Sequence, residues 1–396
     1  MSADARLERY AELAVRVGAN VAEGQTLFVL AQVEHAPLVR AVARAAYTAG
    51  AREVDVQYVD QHVRRAMIEL GPQDMLEHTP PWIEQRVESM ADQALLSITG
   101  DPEPDLLADL PGALVGRARM RRANEIIQQQ MADRSLNWTI VAAPNAGWAT
   151  RVFGEPDVER LWSEVELCMR LDEPDPVAAW QAHLARLRRR ADALNELGLD
   201  ALCYSGPGTD LTVGLLPGVR WTTALHSTRG GREYVANMPT EEVYTSPDSG
   251  RAEGSIAASM PLALGGTLVQ GLRLTVRDGR IVDVQADRGA DVVRAQLETD
   301  ERAAYFGELA LVDRSSRVGQ RGITFFDTLY DENATCHIAY GRGATDPADA
   351  TSMDGVNQSL VHTDFMVGRP ELEIDGLRAD GGRVPILRGG AWQLPE

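Results

Sequence analysis

Seven residues carry the chemical interest of this chain, and each is ambiguous alone. In Val361-His362-Thr363-Asp364-Phe365-Met366 a histidine and an aspartate stand two apart. In an extended strand that spacing puts both side chains on one face, so His362 and Asp364 could share a metal ion while Thr363 points away. The plain alternative is a surface strand that happens to hold a histidine. His337 lies among small and apolar residues in Thr335-Cys336-His337-Ile338-Ala339. There it is either a metal ligand or a core imidazole satisfied by a carbonyl. Glu332 precedes it by five positions, not the four of a helical HExxH site, so the two would meet only from a loop and a strand. Glu308, in Phe306-Gly307-Glu308-Leu309-Ala310-Leu311, is an acid in apolar company. Such a group must be paired, protonated or metal-bound unless it lies on a solvated helix face. Glu241 and Glu242 are adjacent, so in an extended segment at most one of them enters a shared pocket and the other is expected to be solvated.

Other chemistries are poorly served. Cys336 beside His337 does not make a thiol nucleophile, because neighbouring strand residues point apart. Ser255 and Ser359 lack a GxSxG elbow. The Gly206-Pro207-Gly208 and Gly230-Gly231 turns do not open a helix after a strand, as a dinucleotide fingerprint does. His35, His62, His78, His183 and His226 lie in helical or turn contexts and are expected at the surface.

The elements that must position these groups fall into two kinds. Leu7, Tyr10, Ala11, Ala14 and Val15 follow an amphipathic helical period. Thr26–Leu30, His35–Ala49 and Glu53–Tyr58 then read strand, helix, strand, which predicts parallel strands covered by helices. Helices near Pro81–Met90 and Arg117–Met131 and strands at Ala94–Ile98 and Trp138–Ala142 continue the pattern. From Asp157 to about Leu197 the chain is helical, interrupted where Pro174 and Pro176 disfavour helix in the residues before them. The predicted fold class is α/β (α+β) in two lobes: residues 1–190 as an N-terminal α/β lobe and residues 191–396 as a β-rich, metal-binding catalytic lobe, with 172–176 as the alternative boundary. In the second lobe Ala201–Tyr204, Leu211–Leu215 and Leu268–Val276 read as strands, and Arg277-Asp278-Gly279-Arg280 before Ile281–Val284 marks a hairpin.

Composition bounds the function. The chain of 396 residues carries 39 basic and 58 acidic groups, net −19, which disfavours nucleic acid and anionic membrane as partners. Every basic residue is arginine. Without lysine there is no Schiff-base chemistry and no P-loop lysine. Cys168, Cys203 and Cys336 are odd in number and widely spaced, as reduced thiols of a cytoplasmic protein would be. Neither a signal peptide nor an apolar stretch of membrane-spanning length is legible.

At Asn237–Gly254 (NMPTEEVYTSPDSGRAEG), followed by Pro261-Leu262 and Gly265-Gly266-Thr267-Leu268, the chain resembles the M29 family of metalloaminopeptidases. Gly307-Glu308, Asp331–His337 and His362–Gly368 match the family's remaining metal motifs in order, and Trp138–Trp148 extends the resemblance into the first lobe. The resemblance implies a two-lobed homodimer with two divalent ions per subunit, zinc, cobalt or magnesium. It assigns the first metal carboxylate to Glu242 rather than Glu241, a bridging role to Glu308, an active-site role as ligand or general base to Glu332, and the other ligands to His337, His362 and Asp364. One position departs. Where the family usually has a tyrosine seven residues after the first ligand histidine, this chain has Ala344; Tyr340, only three residues after His337, is not carried over.

The ligand set the resemblance implies holds at least three negative charges beside two imidazoles, enough to neutralise much of two divalent cations. Such a pair would activate a shared water and polarise a scissile carbonyl, with Glu332 moving the proton. The expected function is therefore release of N-terminal amino acids from peptides with a free N-terminus. Two rivals are a mononuclear Fe(II) ring-cleaving dioxygenase, whose family resembles this one in fold, and a metal-binding homologue that has lost activity along with the tyrosine.

Overall fold

The computed structural model describes residues 2–264, 267–344 and 350–395. The chain forms two compact units, each closed around its own contacts. The first comprises Met1–Ala182 together with Ala224–Pro239, and the second His183–Thr223 together with Thr240–Glu396. The division falls inside the helix Pro176–Leu197, and a short return of chain, 224–239, packs with the first unit.

The first unit is built on four parallel strands in the order Glu53–Val59, Thr26–Gln32, Ala94–Thr99, Asn137–Ala142. Parallel neighbours need crossovers, and the helix Ala36–Thr48 makes the first of them, burying Leu38, Val39, Val42 and Ala46 as its spacing predicts. The expected helix over Arg117–Met131 is instead two, Gly112–Arg117 and Arg121–Ala132. Two histidines expected at surfaces are buried. The His35 ring donates from Nε2 to the Gly100 carbonyl (2.9 Å) and accepts the Gln32 N–H at Nδ1 (3.3 Å). His183, in the second unit, is the other.

The second unit is antiparallel. One sheet of eight strands runs Arg280–Gln285, Arg273–Arg277, Pro247–Ala257, Thr209–Leu215, Leu199–Gly206, Glu373–Arg378, Arg383–Arg388, Ala391–Trp392. A second, of four strands, runs His362–Met366, His337–Gly341, Phe306–Val312, Glu242–Thr245. The predicted hairpin is present: Arg277 pairs with Arg280, and Asp278 and Gly279 both take positive φ (49° and 79°), as a two-residue type I′ turn requires. The run expected as one strand over Leu268–Val276 is divided into Thr267–Val269 and Arg273–Arg277 on either side of Gly271, whose φ is 63°. Gly265 and Gly266 of the Pro261–Leu268 motif lie outside the described residues. Among the described residues no helix is long and apolar enough to cross a membrane, and all three cysteines are free.

The four-stranded sheet has two unlike faces. Val243, Phe306, Leu309, Leu311, Ile338, Tyr340 and Phe365 point into the apolar core of the unit. The opposite face carries the candidate ligands.

Candidate metal centre

Register decides which side chains meet. Directly opposed residues of an antiparallel pair share a face. Glu308 opposes Ala339, which opposes Asp364; Val312 opposes Glu242; Ala310 opposes His337; Gly341 opposes His362. With the two-residue alternation along each strand, Glu242, Glu308, His337, His362 and Asp364 all project from one face. Ala310 and Ala339 lie between them, small enough to leave space among the five longer side chains. Glu308 is therefore a strand residue and not one on a helix face.

A bulge makes this arrangement compatible with the core. Phe306 opposes Tyr340 while Glu308 opposes Ala339, so Gly307 is an extra residue. Without it Phe306 and Glu308, two apart, would share a face. With it Phe306 turns into the core, its ring 6.3 Å from that of Phe365, and Glu308 turns to the ligands. Gly307 has to be glycine: a Cβ there would stand 2.2 Å from the Arg342 carbonyl oxygen and 2.4 Å from that of Gly341.

The ligand atoms form two groups. Glu242, Glu308 and His337 offer atoms within 4.8 Å of one another, and so do Glu308, His362 and Asp364. Glu308 belongs to both. His337 Nε2 is 3.0 Å from Glu242 Oε2, and His362 Nε2 is 3.3 Å from both Glu308 Oε2 and Asp364 Oδ2. Two ligand atoms bound to one ion at about 2.0–2.1 Å lie about 2.9–3.4 Å apart for angles of about 90–110°. The side chains therefore already stand at ligand spacing. Glu242 Oε2 and Asp364 Oδ1 are both buried: the first meets His337 Nε2 at 3.0 Å, and the second has no hydrogen-bond partner among the described residues. A buried carboxylate oxygen without a partner calls for a nearby cation. The donor set of three carboxylates and two imidazoles fits divalent metal ions.

The ionisation of the cluster points the same way. Burial raises the Glu308 pKa, opposed by its bond to His362 and reinforced by the Asp364 charge. Asp364 is held below its usual range: burial works against this, but the His362 charge and hydrogen bond outweigh it. The His337 pKa rises to about 10, the pull of burial being overcome by the Glu242 charge and hydrogen bond. His362 is also raised, against burial, by Asp364 and Glu308. The buried carboxylates thus favour positive charge at both imidazoles.

Glu332 stands beside these groups rather than within them. It is on a short helix, Thr328–Ala334, and not on a loop. Burial raises its pKa well above normal, reinforced by the charges of Asp364 and Glu242 and opposed by His337. Its neighbours are structural. Asp331 Oδ1 accepts the Phe325 N–H (2.7 Å), and burial lifts its pKa to about 7. Asn333 is fully buried.

Glu241 corrects the expectation of a solvated residue. Its side chain is 1% exposed, with Oε2 3.5 Å from His183 Nε2 and Oε1 accepting the Arg317 N–H (3.4 Å). His183, itself 4% exposed at the side chain, donates from Nε2 to the Thr240 carbonyl (2.8 Å). Nothing in the local pattern distinguishes this buried glutamate from a surface one, because its partners come from 58 and 76 residues away. Tyr340 points into the core and its hydroxyl bonds Gln296, so it is not turned toward the ligands. Tyr244, opposite Ala310, stands on the ligand face, which sequence reasoning missed. Ala344 is partly buried, and residues 345–349, which follow it, lie outside the described residues.

The thermophilic metalloprotease (M29) family model matches residues 3–392. The chain belongs to the M29 metalloprotease family. It is 41% identical over 400 residues to aminopeptidase T of Thermus thermophilus, covering 98% of both chains. It is 38% identical to aminopeptidase 2 of Geobacillus stearothermophilus and 37% identical to aminopeptidase AmpS of Bacillus subtilis, each over 98% of this chain, with 97% and 98% of those proteins covered. The solved structure of wild-type AmpT from Thermus thermophilus superposes with a TM-score of 0.92 at 39% identity, covering 99% of this chain and 100% of that one. This M29 enzyme is a metal-dependent hydrolase of peptide bonds, with a mixed α/β fold.

Proposed function

We propose that this M29 metalloaminopeptidase releases N-terminal residues from unblocked peptides at the carboxylate and imidazole cluster of the four-stranded sheet. Glu242, Glu308 and His337 would hold one divalent ion, and Glu308, His362 and Asp364 a second. The observation that carries this reading is the Glu308 carboxylate, the one residue common to both ligand groups. When bound, such a pair of ions would activate a water and polarise the scissile carbonyl. Glu332, adjacent to both groups and a member of neither, would take the proton from the attacking water and return it to the leaving amine once bound cations offset the carboxylate charges that raise its pKa. His337 and His362 would bind through Nε2, since Nδ1 of His362 faces the Arg342 carbonyl (2.7 Å) and Nδ1 of His337 faces that of Thr335 (3.3 Å); each carbonyl fixes the ring orientation.

Relatives named as aminopeptidases at 37–41% identity favour this reading over a ring-cleaving dioxygenase. A cytoplasmic homodimer is the assembly and location we infer, on the family resemblance and the three free thiols. The test is hydrolysis of free and N-acetylated peptides by metal-loaded protein. The expected outcome is release of free amino acids from the first alone, abolished by chelator and restored by Zn²⁺, Co²⁺ or Mg²⁺, with about two ions per subunit. Equal turnover of blocked and free peptides would reject an exopeptidase.

A further inference from the structure

The helix that carries Glu332 is short, and a seven-residue helix has little stability of its own. Its placement must come from side chains that tie it to the rest of the unit. Asn333 is such a tie. Fully buried, its Oδ1 accepts the backbone N–H of Glu241 (2.7 Å) and its Nδ2 donates to the Leu329 carbonyl (2.9 Å). Only this orientation of the amide satisfies both groups, so the assignment of oxygen and nitrogen follows from the partners. Its own carbonyl accepts from Ser316 Oγ (2.6 Å), which also accepts the Gly319 N–H (3.1 Å). Gly319 approaches so closely that a Cβ would stand 2.3 Å from the Ala334 carbonyl oxygen.

The bond from the Glu241 N–H to the Asn333 amide oxygen links the immediate chain neighbours of two site residues. Glu241 precedes Glu242, and Asn333 follows Glu332. We propose that Asn333 is a positioning residue for the hydrolytic reaction, setting Glu332 against Glu242 through the bond from its amide oxygen to the Glu241 N–H. The inference rests on the proton-transfer role given to Glu332 above. Asn333 touches neither substrate nor metal in this scheme. Removing its side chain leaves the Glu241 N–H without its partner and lets the helix shift relative to the Glu242–Thr245 strand. Misplacement of a catalytic group by about 1 Å costs on the order of 100-fold in rate.

The experiment measures kcat, KM, metal content and melting temperature for Asn333→Ala, with Asn195→Ala as the structural control. Asn195 is a partly buried two-sided amide in the same unit, donating to the Trp221 carbonyl (2.9 Å) and accepting the Trp221 N–H (2.8 Å) with no part in the site. A positioning role lowers kcat of Asn333→Ala by about ten- to a hundred-fold, with KM within about twofold and metal content unchanged, whereas Asn195→Ala keeps kcat within about twofold of the wild type at any temperature where it is folded. Equal losses of kcat in the two variants, or none in Asn333→Ala, overturn the proposal. If Asn333→Ala does not fold, Asn333→Ser, which keeps an acceptor oxygen, is read by the same criteria. Failure of both to fold makes Asn333 a folding residue and also overturns it. Glu332→Gln separates the two readings: if that variant is as active as the wild type, the role of Glu332 is wrong, whereas an impaired Glu332→Gln beside an unimpaired Asn333→Ala condemns the positioning inference alone.

Discussion

Glu241 and Glu242 are adjacent, chemically identical and both buried, yet only one of them should take metal with it when removed. The Glu241 carboxylate is 1% exposed and held between His183 and the Arg317 N–H. Truncation to alanine removes a buried charge and strands its partners, a change that costs about 3–5 kcal/mol where a buried pair is broken. In a unit of roughly 200 residues each kcal/mol moves the melting temperature by about 2–4 °C, so Glu241→Ala should melt roughly 6–20 °C lower. Below that temperature it should keep its metal, because Glu241 points away from the ligand face. Glu242→Ala should lose metal even where it is still folded: its Oε2 stands 3.0 Å from His337 Nε2 on the ligand face and belongs to one of the two ligand groups, so truncation removes a ligand as well as breaking a buried pair. Differential scanning calorimetry with and without chelator, together with metal analysis of each folded variant, reads both effects. If Glu241→Ala melts within about 2 °C of the wild type, or if it and not Glu242→Ala loses metal, the face assignment taken from the register is wrong.

The shared carboxylate makes a sharper demand: Glu308→Gln keeps the shape and removes the charge common to both ligand groups, so it should bind fewer than two ions per subunit and lose most of its activity, as metal analysis and peptide assay will show. Tyr340→Phe should keep kcat within about twofold and cost about 1 kcal/mol of stability, since its hydroxyl serves Gln296 in the core; a loss of metal would place that phenol in the site instead. His35 has a folded-state pKa below 6.5 because of burial, so the unfolded chain binds its proton more readily. Its contribution is therefore complete above about pH 6.5 and declines as the pH falls through and below that value. Urea unfolding at pH 7.5 and 5.5 should show a smaller acid-side loss in His35→Gln than in the wild type, and an equal loss would exclude His35 as its source.

The local patterns of this sequence determine a good deal. Period-two alternation placed His362 and Asp364 together, because side-chain direction along a strand depends on nothing beyond the strand. The Asp278-Gly279 hairpin follows from two residues that tolerate positive φ. The strand and helix rhythm of the first unit is written in its apolar spacing. The family motifs name Glu242, Glu308, Glu332 and His337, but spacing alone leaves each of them with an ordinary alternative.

What tertiary structure decided is everything that depends on register and on partners distant in the chain. The Gly307 bulge turns Glu308 to one face and Phe306 to the other, a one-residue shift invisible to any count of apolar positions. Glu241 is buried because His183, 58 positions upstream in the sequence, and Arg317 close over it. Asn333 looks like any polar residue near a helix end until the Glu241 N–H is found against its amide. Side-chain direction is a local property of the backbone, whereas burial and pairing depend on which distant segments the fold brings alongside, and adjacent glutamates of identical type could be told apart only by the neighbours that the folded sheet gave them.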